Sequence, residues 1–157
     1  HTQALALLQA AVGKGYSLSE TGYHEIYMNQ GDWTKAAEGF NAYVKNRSKF
    51  SVYDLIKGDI IAQQAKVQPW PMSKQIATNN KWEQALLNYW QARASADDLK
   101  KIAFTRCEKT EYFFYTGYQD LQAGRAAQAH KKFKAAIDQN TYRFIERPLA
   151  TYFLQKN

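Results

Sequence analysis

Apolar residues recur at helical spacing along almost the whole chain, and only short polar turns separate one run from the next. Each such run has one face to bury, so the pattern predicts an all-α fold. Ala4, Leu5, Leu8 and Val12 mark a first helix over about 2–12, stopped by Gly13-Lys14-Gly15. Ser19 caps a second, which runs through Tyr23, Ile26 and Tyr27 to Gln30. Gly31 then serves as its C-cap and Asp32 as the next N-cap. Ala36, Ala37, Phe40 and Val44 form a third face. Ser51 opens a fourth helix carrying Leu55, Ile56, Ile60 and Ile61, broken by Pro69-Trp70-Pro71. A short helix over 73–78 and a turn at Asn79-Asn80 follow.

Ala85, Leu86, Tyr89 and Ala92 define the next helix. From Ser95-Ala96-Asp97 the pattern fits one long helix to Ala123, or two that meet near Cys107. Gly124 ends it, and Ala129, Phe133, Ala136 and Ile137 carry another helix to Asn140. The last runs over about 142–154, where Pro148 predicts a kink or a later start. No strand is expected. Glycine (8) and proline (3) are too scarce for a sandwich or barrel with its many turns.

The turns align with one another. Gly31-Asp32-Trp33 is followed by Ala36, Phe40 and Tyr43; Asn80-Lys81-Trp82 by Ala85, Tyr89 and Ala92; Gly124-Arg125-Ala126 by Ala129, Phe133 and Ala136. A small residue lets two antiparallel helices approach, and the aromatic one turn later fills the space where they diverge. Gly117, seven residues before Gly124, is a further close-contact position, and His24 takes that place before Gly31.

These offsets resemble the tetratricopeptide repeat, a helix–turn–helix unit. The third block fits best, with Phe113, Gly117, Gly124, Ala129, Phe133 and Ala136 on motif positions. The second fits poorly where Pro69 and Pro71 fall, and the blocks are spaced more widely than the family's repeat, so the array is irregular. The resemblance implies a single domain over 1–157, a short right-handed α-solenoid. It implies a non-catalytic adaptor that holds a partner protein or peptide in a concave groove. Carried over by position, the groove would present Thr21, Glu25, Met28 and Asn29 from the first unit and Glu111, Phe114, Tyr118 and Gln122 from the third. The alternative reading of Phe114 and Tyr118 is that they pack under an additional helix. The family's clamp for C-terminal carboxylates needs Lys and Asn where Thr21, Glu25, Phe114 and Tyr118 stand, so chaperone-tail recognition is not expected. The stretch from Cys107 through Tyr112–Gly117 to Glu146 is also loosely similar to bacterial tetratricopeptide lipoproteins of the new lipoprotein I type. That likeness implies a periplasmic or envelope-associated adaptor; a cytoplasmic one stays open.

Little in the chain points to catalysis. His24-Glu25 begins a zinc-peptidase motif, but Met28 stands where the second histidine belongs. Gly13-Lys14-Gly15 lacks the frame of a phosphate loop. With one cysteine and three histidines scattered along the chain, neither a metal nor another cofactor is expected. Cys107 reads as a buried structural cysteine, and His130 as solvated. Asn46-Arg47-Ser48 matches a glycosylation sequon, a pattern common by chance. No apolar run is long enough to span a bilayer.

The net charge of +7 admits an acidic partner. Its clusters, Lys45/Arg47/Lys49 and Lys131/Lys132/Lys134, read first as solvated faces. No RNA- or DNA-binding motif accompanies them, so nucleic acid is not expected, although an anion binder is one alternative function. The other is an interaction or dimerisation domain of a larger regulator or enzyme that extends before His1. A homo-oligomer formed through the helix over 2–12 stays open.

Overall fold

Several helix starts in this chain are set by side chains that satisfy the first free N–H groups. Ser51, Ser95 and Thr105 each accept from the backbone N–H three residues on, and Asp54, Asp98 and Glu108 reach back to complete capping boxes. Asn80 accepts from Glu83 N in the same way. The computed structural model describes residues 6, 7, 10, 14, 23–45, 47–72, 76–141 and 144–156. Among them are eight helices: α1 (Tyr23–Gln30), α2 (Trp33–Lys45), α3 (Val52–Ala65), α4 (Lys81–Trp90), α5 (Ala96–Lys101), α6 (Arg106–Gln122), α7 (Ala126–Asp138) and α8 (Glu146–Lys156). Among the described residues the fold is all-α apart from one short strand pair. The helix expected over 2–12 and the cap at Ser19 lie largely outside the described residues.

Contacts divide the chain into two compact units, His1–Thr78 and Asn79–Asn157. In the first, α1 packs on α2 and α2 on α3. Met28, Ala36, Phe40, Val52, Ile56, Ile60 and Ile61 are all buried. Gly58 in α3 is needed here. A Cβ at that position would stand 2.8 Å from both Phe40 Cε1 and Met72 Cε. The strands β1 (Phe50–Ser51) and β2 (Ile76–Ala77) pair in parallel, Phe50 with Ile76 and Ser51 with Ala77. This corrects two expectations. A strand does exist, and residues 76–77 are extended rather than part of a helix over 73–78. Phe50 and Ile76 carry the strong strand propensity that the helical reading passed over.

In the second unit, α6 packs most extensively on α7, α7 on α8, and α8 also reaches α6. Phe114, Tyr118, Phe133 and Phe153 meet in one aromatic core, with Phe133 stacked on Phe153 at 5.8 Å. The segment after Ser95 is two helices, because Thr105 starts a new one after Ile102 closes α5. The last helix starts late, at Glu146, so Pro148 falls in its first turn, where a missing N–H costs nothing. Cys107 is exposed rather than buried, since it lies in the first turn of α6 before that helix enters the core.

Candidate binding surfaces

Two hairpins organise the expected repeat positions. Gly31 and Gly124 both adopt positive φ, 72° and 74°. Each is followed by a backbone N–H bonded to the carbonyl five residues back: Asp32 to Tyr27 (3.0 Å) and Arg125 to Asp120 (2.8 Å). This is the Schellman closure that glycine makes cheap. Asp32 also caps α2 through Lys35 N. Beyond the turns, Ala36 and Phe40 in one hairpin, and Ala129, Phe133 and Ala136 in the other, are fully buried. Gly117 is a close contact, as expected: a Cβ there would stand 3.1 Å from Phe133 Cε1.

The middle block does not match. Ala85 and Tyr89 are half-buried and Ala92 is exposed. Ala92 lies past the end of α4 with φ 57°, and Arg93 N bonds Asn88 O at 2.7 Å. The left-handed cap of the other two blocks therefore recurs at Ala92, and Ala92 is no interhelix packing position. Asn80, aligned with the two glycines by sequence, is an N-cap instead.

The positions expected to line a groove separate sharply. Thr21 lies outside the described residues. Glu25 is part-exposed and takes a 2.7 Å ion pair from Lys57. Met28 is in the core. Asn29 is half-buried, with its Oδ1 enclosed and unbonded. Gln122 is exposed at the end of α6. Glu111, Phe114 and Tyr118 are corrected: all three are interior. Glu111 accepts from Trp82 Nε1 at 2.6 Å. Tyr118 lies 5.3 Å from Phe153 and 6.3 Å from Trp90, and Phe114 lies 6.4 Å from Phe153. Helix α8, together with Trp90 at the end of α4, fills the face that would have been concave. Tyr115, between them in sequence, donates to the buried Glu146 on α8. The additional helix of the alternative reading is therefore present.

What remains accessible is of two kinds. In the first unit a shallow cleft of about 340 Å³ lies between α1 and α2, lined by Tyr23, Tyr27, Lys35, Glu38, Gly39 and Ala42. Lys35 stands 5.6 Å over the Tyr27 ring and pairs with Asp32 at 2.8 Å. In the second unit the outer side of α7 presents Gln128, Lys131 and Lys134. Lys132, expected on that solvated side, instead turns to Asp120 at 2.8 Å and joins Arg125 there. Burial works against the charged form of Asp120, but the hydrogen bonds from Lys132 and Arg125 prevail and hold its carboxyl below the usual range. His130 is half-buried with Nε2 enclosed, rather than solvated.

A polar cluster that the sequence did not single out joins α1, α2 and α3. Tyr43 donates to Asp54 Oδ1 at 2.9 Å, and Arg47 lies 4.1 Å over the Tyr43 ring. His24 is buried against Phe40 and Tyr43, at 5.1 and 5.0 Å, with neither ring nitrogen hydrogen-bonded to protein. Burial first, and then the nearby Lys57, lowers the His24 pKa to about 4 against the opposing pull of Glu25 and Asp54. The available signal was the spacing of Asp54 and Lys57 on one face of α3, but their partners on α1 and α2 are set only by packing.

Among the described residues, no group of His, Cys, Asp and Glu is placed to hold a metal ion, and no helix is long and apolar enough to cross a membrane. No family model, curated protein or solved structure matches the chain.

Proposed function

We propose that this chain is a non-catalytic interaction scaffold built on helix–turn–helix units of tetratricopeptide type, which holds a partner protein or peptide on its helix surfaces. The observation that carries the reading is the agreement of two separate hairpins. α1–α2 and α6–α7 share the left-handed glycine closure, the buried alanine five residues later and the buried phenylalanine four beyond that. Repeated hairpins of this kind bury their core between neighbouring helices and leave outer helix faces for recognition. The reading gives no residue a catalytic role and requires no cofactor. Because Phe114 and Tyr118 are core, the recognition surface is assigned to exposed positions: the cleft with Tyr27 and Lys35, the outer side of α7, and Gln122.

The test is affinity capture from native extract at low and high salt. The parent chain is compared with Tyr27→Ala/Lys35→Ala and with Lys131→Glu/Lys134→Glu, each first shown to melt as the parent does. A protein recovered in near-stoichiometric amount by the parent and lost in one variant supports the scaffold. Recovery that no surface change alters, or turnover of a small molecule by the purified chain, removes it.

A further inference from the structure

We propose that the outer side of the α7–α8 pair binds an acidic segment of the partner protein, a step that rests on the scaffold reading and adds the partner's chemistry. Residues 123–157 hold seven Lys and Arg against two acids, Asp138 and Glu146, so this stretch carries +5 of the chain's +7. The fold withdraws charges of both signs from the surface balance, Arg125 and Lys132 by pairing with Asp120 and Glu146 by burial. Glu146 is 4% exposed and receives the Tyr115 hydroxyl. That leaves Asp138 as the one surface carboxylate on these two helices among the described residues.

Three further carboxylates of the second unit are buried. Glu83 is buried capping α4, Glu111 is buried under Trp82, and Asp120 is consumed by Arg125 and Lys132. These buried carboxylates have hydrogen bonds that compensate their desolvation, while Asp97, Asp98 and Asp138 stay exposed. Lys131 and Lys134 are exposed, and neither forms an ion pair among the described residues. They lie one turn apart, about 4.5 Å along the axis at 1.5 Å per residue. Acidic side chains three or four apart on a partner helix repeat at the same spacing.

The surface favours an acidic polypeptide over other anions. Among the described residues the exposed large apolar side chains, Leu7, Val67 and Phe104, all lie outside 123–157. Among its described residues this face therefore offers no fully exposed ring on which a single-stranded base could stack and no fully exposed apolar side chain to enter a bilayer. Carboxylates need neither.

The probe is a fluorescent oligo-glutamate peptide followed by anisotropy at several salt concentrations. Parallel arms use an oligothymidylate and vesicles of phosphatidylserine and phosphatidylcholine. Lys131→Glu/Lys134→Glu is compared with Lys45→Glu/Lys49→Glu, which makes the same change in net charge on exposed residues of the first unit. The parent is expected to bind the peptide with salt-sensitive affinity. Reversing Lys131 and Lys134 is expected to weaken binding about tenfold, the sum of several exposed ion-pair contributions, while the control pair changes it by less than about twofold. Equal loss in both variants would mean that net charge alone acts and would overturn the proposal. So would absence of peptide binding, or tighter binding of the oligonucleotide or vesicles at the same salt. If the native partner is captured equally by parent and Lys131→Glu/Lys134→Glu chains, this surface assignment fails while the scaffold reading stands.

Discussion

The hairpins α1–α2 and α6–α7 reach the same backbone arrangement through opposite choices of small residue. Seven residues before the turn glycine stand His24 and Gly117; eight after it stand Gly39 and Lys132. In the second unit the glycine is on the first helix, so the Phe133 ring and Lys132 Cβ lie against bare backbone. In the first unit the glycine is on the second helix, and a Cβ at Gly39 would stand 3.2 Å from His24 N. Close approach needs one small partner at the crossing, and either helix can supply it. The difference has an energetic consequence. The first hairpin must bury an imidazole on Phe40 with both nitrogens unbonded, whereas the second buries only hydrocarbon at the same place.

The largest expected effect tests what the hairpins share. Phe40→Ala and Phe133→Ala each remove a fully buried ring and should each cost about 3–5 kcal/mol. Phe133 stacks on Phe153 and meets Phe114, so its loss should loosen α6, α7 and α8 together. Phe40 touches His24, Tyr43 and Trp70, so its loss should be confined to the first unit. Hydrogen exchange across a urea series would resolve the two. A cost below about 1 kcal/mol for either would break the equivalence of the hairpins.

The next effect belongs to the first hairpin alone. His24 has its pKa lowered to about 4 in the folded state, so the unfolded chain takes up the proton first. Stability present above about pH 6.5 is therefore lost as pH falls toward 4, in all by roughly 3 kcal/mol at about 1.4 kcal/mol per pH unit. Glu25, Tyr43, Arg47, Asp54 and Lys57 surround the ring, and Asp54 itself titrates below the usual carboxylate range. Its share of acid sensitivity therefore begins only below the His24 window. Exchange protection of α1 and α2 should fall between pH 7 and 5, and His24→Phe should flatten that slope. An unchanged slope in the variant would assign the sensitivity elsewhere.

The glycine exchange predicts a smaller effect. Gly39→Ala and Gly117→Ala each gain about 1 kcal/mol of helix propensity. Each also forces a contact tighter than side chains normally accept, which costs about 1–3 kcal/mol. At Gly39 the obstacle is the backbone of α1, and at Gly117 it is a ring wedged between Phe114 and Phe153. Both should come out net destabilising by about 1 kcal/mol in thermal melts. A stabilised Gly117→Ala would show that the ring can yield, and that the two crossings are not equally tight.

Local chemistry was legible in the sequence wherever it was sufficient to set structure. Gly31, Asp32, Ser51 and Gly124 could be assigned because caps depend on neighbours within five residues. Ala36, Phe40, Ala129, Phe133 and Ala136 followed from periodicity, which shows that a face is buried. Periodicity does not show what covers a second face. Phe114 and Tyr118 carry the same apolar signal whether they line a groove or sit beneath α8, and only the return of Phe153 distinguishes the two. The pairing of Phe50 with Ile76 was equally out of reach, since it joins residues on either side of α3 by a contact no local pattern encodes.

The smallest expected effect has the opposite sign and concerns the block that failed to match. The closure made by Gly31 and Gly124 is made at the end of α4 by Ala92, φ 57°, with Ala92 N on Tyr89 O at 3.0 Å and Arg93 N on Asn88 O at 2.7 Å. An alanine pressed into the left-handed region places its Cβ too near the following carbonyl, a strain of about 1 kcal/mol that glycine does not feel. The strain exceeds what alanine saves in unfolded-chain entropy, which is about 0.4–1 kcal/mol. Ala92→Gly should therefore stabilise the second unit slightly, by at most about 1 kcal/mol, whereas Gly31→Ala and Gly124→Ala should destabilise by a similar amount. The side chain of Ala92 is exposed, so no lost packing obscures the comparison. Three melts with opposite signs would show that one cap geometry closes α1, α4 and α6, made by glycine at α1 and α6 and by alanine at α4. A destabilised Ala92→Gly would instead mean that α4 does not end at this left-handed turn in solution, and the likeness among the three turns would shrink to the two glycine hairpins.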